Sequence, residues 1–331
     1  MSWLFGATQN KSSSKSASLK TILVLDVENA SVGAGLVHIA PGKTPRLFAE
    51  KRIPLSIQNT LDSTRLVHEI EKAVHELLVH ARGSDVMTGG QSTPSHTAIF
   101  LAAPWSTPSW SRGKAVWNFE PYIQKNLWRL AQDAPTTFHA TGSALVHTID
   151  TAFEHDDAFL LCSITGEVAE ILYVLHNQII ARATVPFGTH TIARTLASHA
   201  GVPLHAAHSA LRLVDTSPSH PHPGPSWIHE PLSSAATHFA ENFADAAKAL
   251  YASSGLRGEH AAHSVLVVAP EPLGELFASM LGNSTKVSEL FPEGGTVRAL
   301  RPHHLVPHLW AEKSAPDLHL MAEALFAHKN I

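Results

Sequence analysis

The feature that most constrains this chain is an internal repeat, because one unit of strand, hairpin and helix occurs in it twice. In the first copy Thr21 to Leu25 is a continuous β-branched and apolar run, as expected of a strand covered on both faces. Gly35 to Ile39 and Leu47 to Leu55 read as the next two strands. Asp62 or Ser63 then caps a helix whose Leu66, Val67, Ile70, Val74, Leu77 and Leu78 form one stripe, ended by Gly83. The second copy opens with Phe159-Leu160-Leu161-Cys162. It continues through Ile171 to Leu175 and Ile179 to Val185 and enters a helix at about Thr189 to His199. Laid side by side, Leu25-Asp26-Val27 falls on Cys162-Ser163-Ile164, and Ile53-Pro54-Leu55 on Val185-Pro186-Phe187. The two intervals differ by five residues, which the longer loop Ala40 to Pro45 absorbs. Strand patterns recur easily, so the shared order of three strands, closing proline and helix is what favours duplication over coincidence.

At 331 residues the chain can hold two medium cores. The repeat predicts a layered α/β protein of two lobes. The expected division is a flexible N-terminal tail at 1–20, a first lobe at 21–157 and a second at 158–315, with a final helix at 316–331 packing back on the first. Thr97 to Ala102 is a further strand of the first lobe, stopped by Pro104. The second lobe is expected to continue with helices near Leu204 to Leu213 and Ala235 to Ala252. A strand at Ser264 to Val268, a helix at Leu273 to Leu281 and a strand at Thr296 to Leu300 complete it. Ser84 to Ser95 and the proline-rich Ser217 to Pro231 read as loops without regular structure.

A formal net charge of −4 leaves no surplus of Lys and Arg to neutralise phosphates, which argues against a general nucleic-acid binder. Cys162 is the only cysteine, so no intrachain disulfide can form, which fits a reducing compartment. No apolar run is long enough to span a bilayer, and the expected location is the cytoplasm. Histidine is abundant, at 24 residues, but the count alone locates no site.

The two hairpin turns are where chemistry would sit. The first reads Asp26-Val27-Glu28-Asn29-Ala30-Ser31-Val32-Gly33 and the second Ser163-Ile164-Thr165-Gly166-Glu167-Val168-Ala169-Glu170-Ile171. With Val185-Pro186-Phe187-Gly188 before the second helix, the pattern resembles the actin-like ATPase superfamily, and within it the FtsA/PilM-like group. The resemblance covers residues 20 to 330, in architecture more than in identity. It implies an actin-like, ribonuclease H-like fold in which the two turns grip a nucleotide's phosphates from opposite lobes. Carried over, the nucleotide-binding positions are Asp26, Asn29, Ser31, Ser163, Gly166 and Gly188.

This sequence departs from the family's turns at the positions that matter. Phosphate turns use glycine because bare N–H groups must approach the oxygens. Here Glu28 adds a side chain and a negative charge, Ser163 replaces a carboxylate, and Val168 and Ala169 replace paired hydroxyls. On the adenosine side Val267-Val268 runs into Ala269-Pro270-Glu271-Pro272 instead of a glycine run. Asp26 alone would hold Mg²⁺ weakly.

Two functional expectations follow. The first is a non-catalytic adaptor with no catalytic residue, no metal and no cofactor. It would bind the cytoplasmic tail of a membrane-associated division or pilus assembly protein and could self-associate. The second is a working ATPase or kinase that binds ATP with Mg²⁺ in the cleft between the lobes.

Other signals are weaker. Pro302-His303-His304-Leu305-Val306-Pro307-His308 offers imidazoles but no recognised metal spacing. No nucleophile-elbow motif of a serine hydrolase is present. Trp105 reads as a core residue at a strand end. Trp110, Trp117, Phe119, Tyr122 and Trp128 follow as a packed subdomain or a docking surface, in a span where the resemblance implies an extra subdomain, shortened or absent. The tip at residues 1–6, with Trp3-Leu4-Phe5 on a Ser/Lys tether, could touch the inner face of a membrane.

Overall fold

The computed structural model describes residues 19–84, 94–111, 114–214, 226–254, 262–291 and 294–331. The expected tail, its apolar tip and most of the two expected loops lie outside the described residues.

The first unit is the strands β1 (Lys20–Val27), β2 (Ser31–Ile39) and β3 (Arg46–Pro54), followed by helix α1 (Ser63–Arg82). Every residue of β1 beyond Lys20 is buried, which is why its sequence is apolar without alternation. Asp62 caps α1 by accepting hydrogen bonds from the amides of Thr64 and Arg65. Leu66, Ile70, Val74 and Leu77 bury its inner stripe, each contributing on the order of 1.5–3 kcal/mol. Strand β2 starts at Ser31, four residues before the sequence suggests, because Ser31, Gly33 and Ala34 carry little apolar signal of their own.

The chain continues through β4 (His96–Leu101), the hairpin β5 (Ser106–Ser111) and β6 (Lys114–Phe119), and helix α2 (Pro121–Leu130). Strand β7 (Thr136–Ala140) and helix α3 (Thr141–Ala152) follow. The hairpin and α2 lie in the span where the resemblance implies an extra subdomain. Trp105 is buried in the core, whereas Trp110, Tyr122 and Trp128 are exposed.

The second unit repeats the first with β8 (Ala158–Ile164), β9 (Ala169–Leu175), β10 (Gln178–Val185) and helix α4 (Thr189–Ala200). Helix α5 (Leu204–Leu211) and helix α6 (His229–Ser254) come next. The sequence places Pro231 in an irregular loop, yet it lies in the first turn of α6, where a missing N–H removes no helical bond. Then follow β11 (Ser264–Val268), α7 (Gly274–Gly282), α8 (Thr285–Ser288), β12 (Thr296–Ala299), α9 (Pro302–Leu305), β13 (Trp310–Ala311) and α10 (Leu318–Asn330).

The sheet orders are β13-β3-β2-β1-β4-β7 and β10-β9-β8-β11-β12. Apart from the β13 edge they are one topology used twice: an antiparallel meander extended by two parallel strands. Three cores stack around them. One lies between the first sheet and α1 with α2, and another between the second sheet and α4 to α7. The third fills the space between the sheets, where α3 and α10 meet residues of both. Strand β13 pairs parallel to β3, so the chain has crossed back to the first sheet by Trp310. No described helix is long and apolar enough to cross a membrane.

Candidate functional site

The two hairpin turns are equivalent atom for atom in their pairing. Val27 pairs with Val32 at the end of one ladder, and Ile164 with Ala169 at the end of the other. The Glu28 amide donates to the Ser31 carbonyl at 3.0 Å, and the Thr165 amide donates to the Val168 carbonyl at the same distance. Glu28-Asn29-Ala30-Ser31 therefore matches Thr165-Gly166-Glu167-Val168, and Asp26 matches Ser163. Ile53 opposite Val32 likewise matches Val185 opposite Ala169.

These turns face each other and touch. A methyl group built on Gly166 would lie 2.4 Å from the Ala30 Cβ, so Ala30 rests on the bare Gly166 backbone. Asn29 spans the contact. Its Nδ2 donates to the Ala103 carbonyl at 3.1 Å and to Thr165 Oγ1 at 2.9 Å, while its Oδ1 accepts from the Glu167 amide at 3.0 Å. Asn29 is buried, so each of these bonds is made away from competing water. Gly188, at the start of α4, packs so closely on residues 165–166 that a Cβ there would meet their carbonyl oxygens at 2.4–2.5 Å. The amides of Glu28, Thr165, Glu167, Thr189 and His190 are all bonded within the protein.

Two ion pairs reinforce the contact. Arg194 of α4 binds the Glu167 carboxylate and also donates to the Gln58 carbonyl of the first unit at 3.1 Å. Arg182 of β10 lies 2.5 Å from Glu170 and donates to the Ser106 carbonyl at 3.1 Å. Burial works against ionisation of Glu167, but His190 and Arg194 outweigh it and hold its carboxyl at about 2. For Glu170 the balance tips the other way, and burial raises its pKa despite Arg182.

Asp26 is engaged by Arg52. Gly33 pairs with Asp26 on one side and with Arg52 on the other, so the three form one row across the sheet. With no side chain at Gly33, the guanidinium lies over it and reaches Asp26 Oδ2 at 2.6 Å. Arg52 Nη1 also donates to Ser31 Oγ at 2.8 Å, and Arg52 is paired with Asp317 at the N-cap of α10. Ser31 Oγ donates in turn to Glu28 Oε2 at 3.1 Å. His319 Nδ1 lies 3.3 Å from Glu28 Oε1, and Glu323 closes the group from the next turn of α10. Asp26, Glu28, His319 and Glu323 are all buried.

The electrostatics of this group follow from burial and from Arg52. Burial raises the Glu28 carboxyl to about 7, against the pull of His319 and Arg52. Burial and the neighbouring Asp26 raise Glu323 well above its ordinary value. Asp317 is only partly exposed, and Arg52 outweighs the effect of that burial and holds its carboxyl at about 2. Asp26, Glu28 and His319 bring ligand atoms within 4.8 Å of one another and are the residues here that could hold a cation.

The six expected nucleotide positions thus divide. Asn29, Gly166 and Gly188 meet at the contact between the turns, while Asp26 and Ser31 belong to the Arg52 group. Ser163 is buried within β8, pairing with Glu170 and Val268. Arg52, Asp317, His319 and Glu323 were not expected, although two signals point to them. Arg52 stands in register with Asp26 across Gly33, and His319 and Glu323 interrupt an otherwise apolar helix. Among the described residues, the His303-His304 pair forms no metal group. Its ring centroids lie 4.0 Å apart with the planes tilted by 45°, and His304 Nδ1 accepts from the Arg301 amide.

No protein-family model and no curated protein matches this chain. Solved structures do match. A PilM–PilN type IV pilus biogenesis complex is 12% identical, with a TM-score of 0.59, over 93% of this chain and 96% of that one. The ethanolamine utilization protein EutJ from Carboxydothermus hydrogenoformans is 14% identical, with a TM-score of 0.57, over 93% and 90%. MamK in a double helical filament is 10% identical, with a TM-score of 0.55, over 94% and 99%. At these identities the likeness is one of fold. The chain has the actin-like, ribonuclease H-like fold, which it shares with these structures over nearly its whole length.

Proposed function

We propose that this chain is a non-catalytic assembly adaptor of the actin-like fold that works without nucleotide. The observation that carries the reading is the Ala30–Gly166 contact bridged by Asn29, at the position where the resemblance expects phosphate. To admit a triphosphate, the lobes would have to break three hydrogen bonds of Asn29 and the Arg194–Gln58 tie. Arg52 would also have to leave Asp26 before that carboxylate could serve a magnesium ion. Glu28 would then add a like charge beside the phosphates, an opposition of about 1 kcal/mol when solvated and more in a dry site.

The partner class is the cytoplasmic tail of a membrane-associated assembly protein, and the pilus type is preferred over the division type. Likeness of fold to a chain in a PilM–PilN complex supports that preference. Likeness to MamK in a filament supports self-association as a second mode. On this reading the adaptor works at the inner face of the cell membrane. Proximity labelling from the full chain in its own host, with and without depletion of ATP, tests it. Enrichment of one membrane-associated assembly component under both conditions is expected. Labelling of no such component, or labelling that disappears with ATP, would sink the adaptor reading.

A further inference from the structure

We propose that Asp26, Glu28 and His319 form a binding site for one divalent transition-metal cation of the zinc type, which ties α10 to the turn between β1 and β2. The site is independent of nucleotide and of the adaptor role.

The case begins with buried atoms that make no hydrogen bond. Asp26 gives Oδ2 to Arg52, and Glu28 Oε2 accepts from Ser31. Asp26 Oδ1 and His319 Nε2 have no hydrogen-bond partner, and Glu28 Oε1 has only the ion-pair contacts of His319 Nδ1 at 3.3 Å and Arg52 Nη1 at 3.5 Å. All three residues are at least 96% buried, where an unsatisfied polar atom is costly. Glu323 of α10 is wholly buried beside Asp26.

The geometry matches a single ion, since one ligand atom each of Asp26, Glu28 and His319 lies within 4.8 Å of the others. Two carboxylate oxygens and an imidazole nitrogen suit zinc or manganese better than magnesium, which favours an all-oxygen shell. Arg52 and Asp317, with side chains 22% and 19% exposed, form the edge of the group that meets solvent and give an ion its way in. A metal here would be structural, because it joins the start of the first hairpin turn to the C-terminal helix.

The test is calorimetric titration of the full chain with zinc chloride after chelator treatment and dialysis, with the melting temperature followed in parallel. The expected result is one tight equivalent that raises the melting temperature, with manganese binding more weakly at the same site. His319→Gln and Glu28→Gln should each weaken that binding at least about tenfold. A control with His303→Gln and His304→Gln together, which are not members of the group, should leave it unchanged. If one site variant fails to fold, the other and the wild-type stoichiometry decide. The absence of a tight equivalent in the wild type would overturn the proposal. Binding that survives both site variants but is lost in the control would overturn it as well.

Discussion

Arg52 reaches across Gly33 to Asp26, placing Nη2 2.6 Å from Oδ2 and occupying the carboxylate that the resemblance would assign to a nucleotide-bound magnesium ion. The pair is largely shielded from solvent, so removing one partner strands the other. Arg52→Met should destabilise the fold by about 3–5 kcal/mol, read from chemical denaturation. The double variant with Asp26→Asn should recover part of that loss. Simple additivity of the two single variants would show that the pair is not coupled.

Asn29 is the second device that closes the site, through three hydrogen bonds to Ala103, Thr165 and Glu167. At about 0.5–1.5 kcal/mol for each bond, Asn29→Ala should cost roughly 1.5–4.5 kcal/mol. Its signature should be local. Hydrogen exchange at the Glu167 amide should accelerate by more than at β1 or β8, and an equal change throughout would argue against a bridge.

The close approach of the turns makes a steric prediction. Gly166→Ala sets two Cβ atoms 2.4 Å apart, and overpacking of this kind costs about 1–3 kcal/mol. Adding Ala30→Gly should restore part of the stability. The recovery should be incomplete, because the His190 ring also lies about 3 Å from the new methyl. No recovery at all would place the strain elsewhere.

Acid sensitivity should arise from two groups. Burial, aided by His96, lowers His139 to about 4, while the unfolded chain titrates near 6.5. The unfolded state therefore binds the proton more readily, and the stability due to His139 is complete above 6.5 and lost as pH falls toward 4. Glu167, held at about 2, adds stability that is complete above its unfolded value near 4.5 and lost below it. The stability of the native chain relative to His139→Phe should fall as pH drops from 7 to 4 in equilibrium unfolding, whereas the raised Glu28 carboxyl acts in the opposite sense in both proteins and cancels in the comparison. An unchanged slope in the variant would remove His139 as the cause.

Much of this architecture is legible in the residues. Apolar runs without alternation mark β1, β8 and β11, since all three are covered on both faces. The register between the copies also follows from sequence, because Val-Pro-Phe and Ile-Pro-Leu close equivalent strands. What the sequence hides is how far apart the turns stand. Glu28 reads as a charge opposed to phosphate, but its partners Ser31, Arg52 and His319 come from three different elements. Asp317 and His319 lie almost 300 residues from Asp26, and only packing of α10 on β1 brings them together. The short elements β5, β6, α8, α9 and β13 also escape a sequence reading, because tertiary contacts rather than periodicity define them.

The central claim is that direct contact between the two turns has replaced the nucleotide. Calorimetric titration of the full chain with millimolar MgATP, repeated for Asn29→Ala, tests it most directly. The account predicts no saturable binding by the native chain. Saturable binding of MgATP that disappears in Asp26→Asn would contradict it.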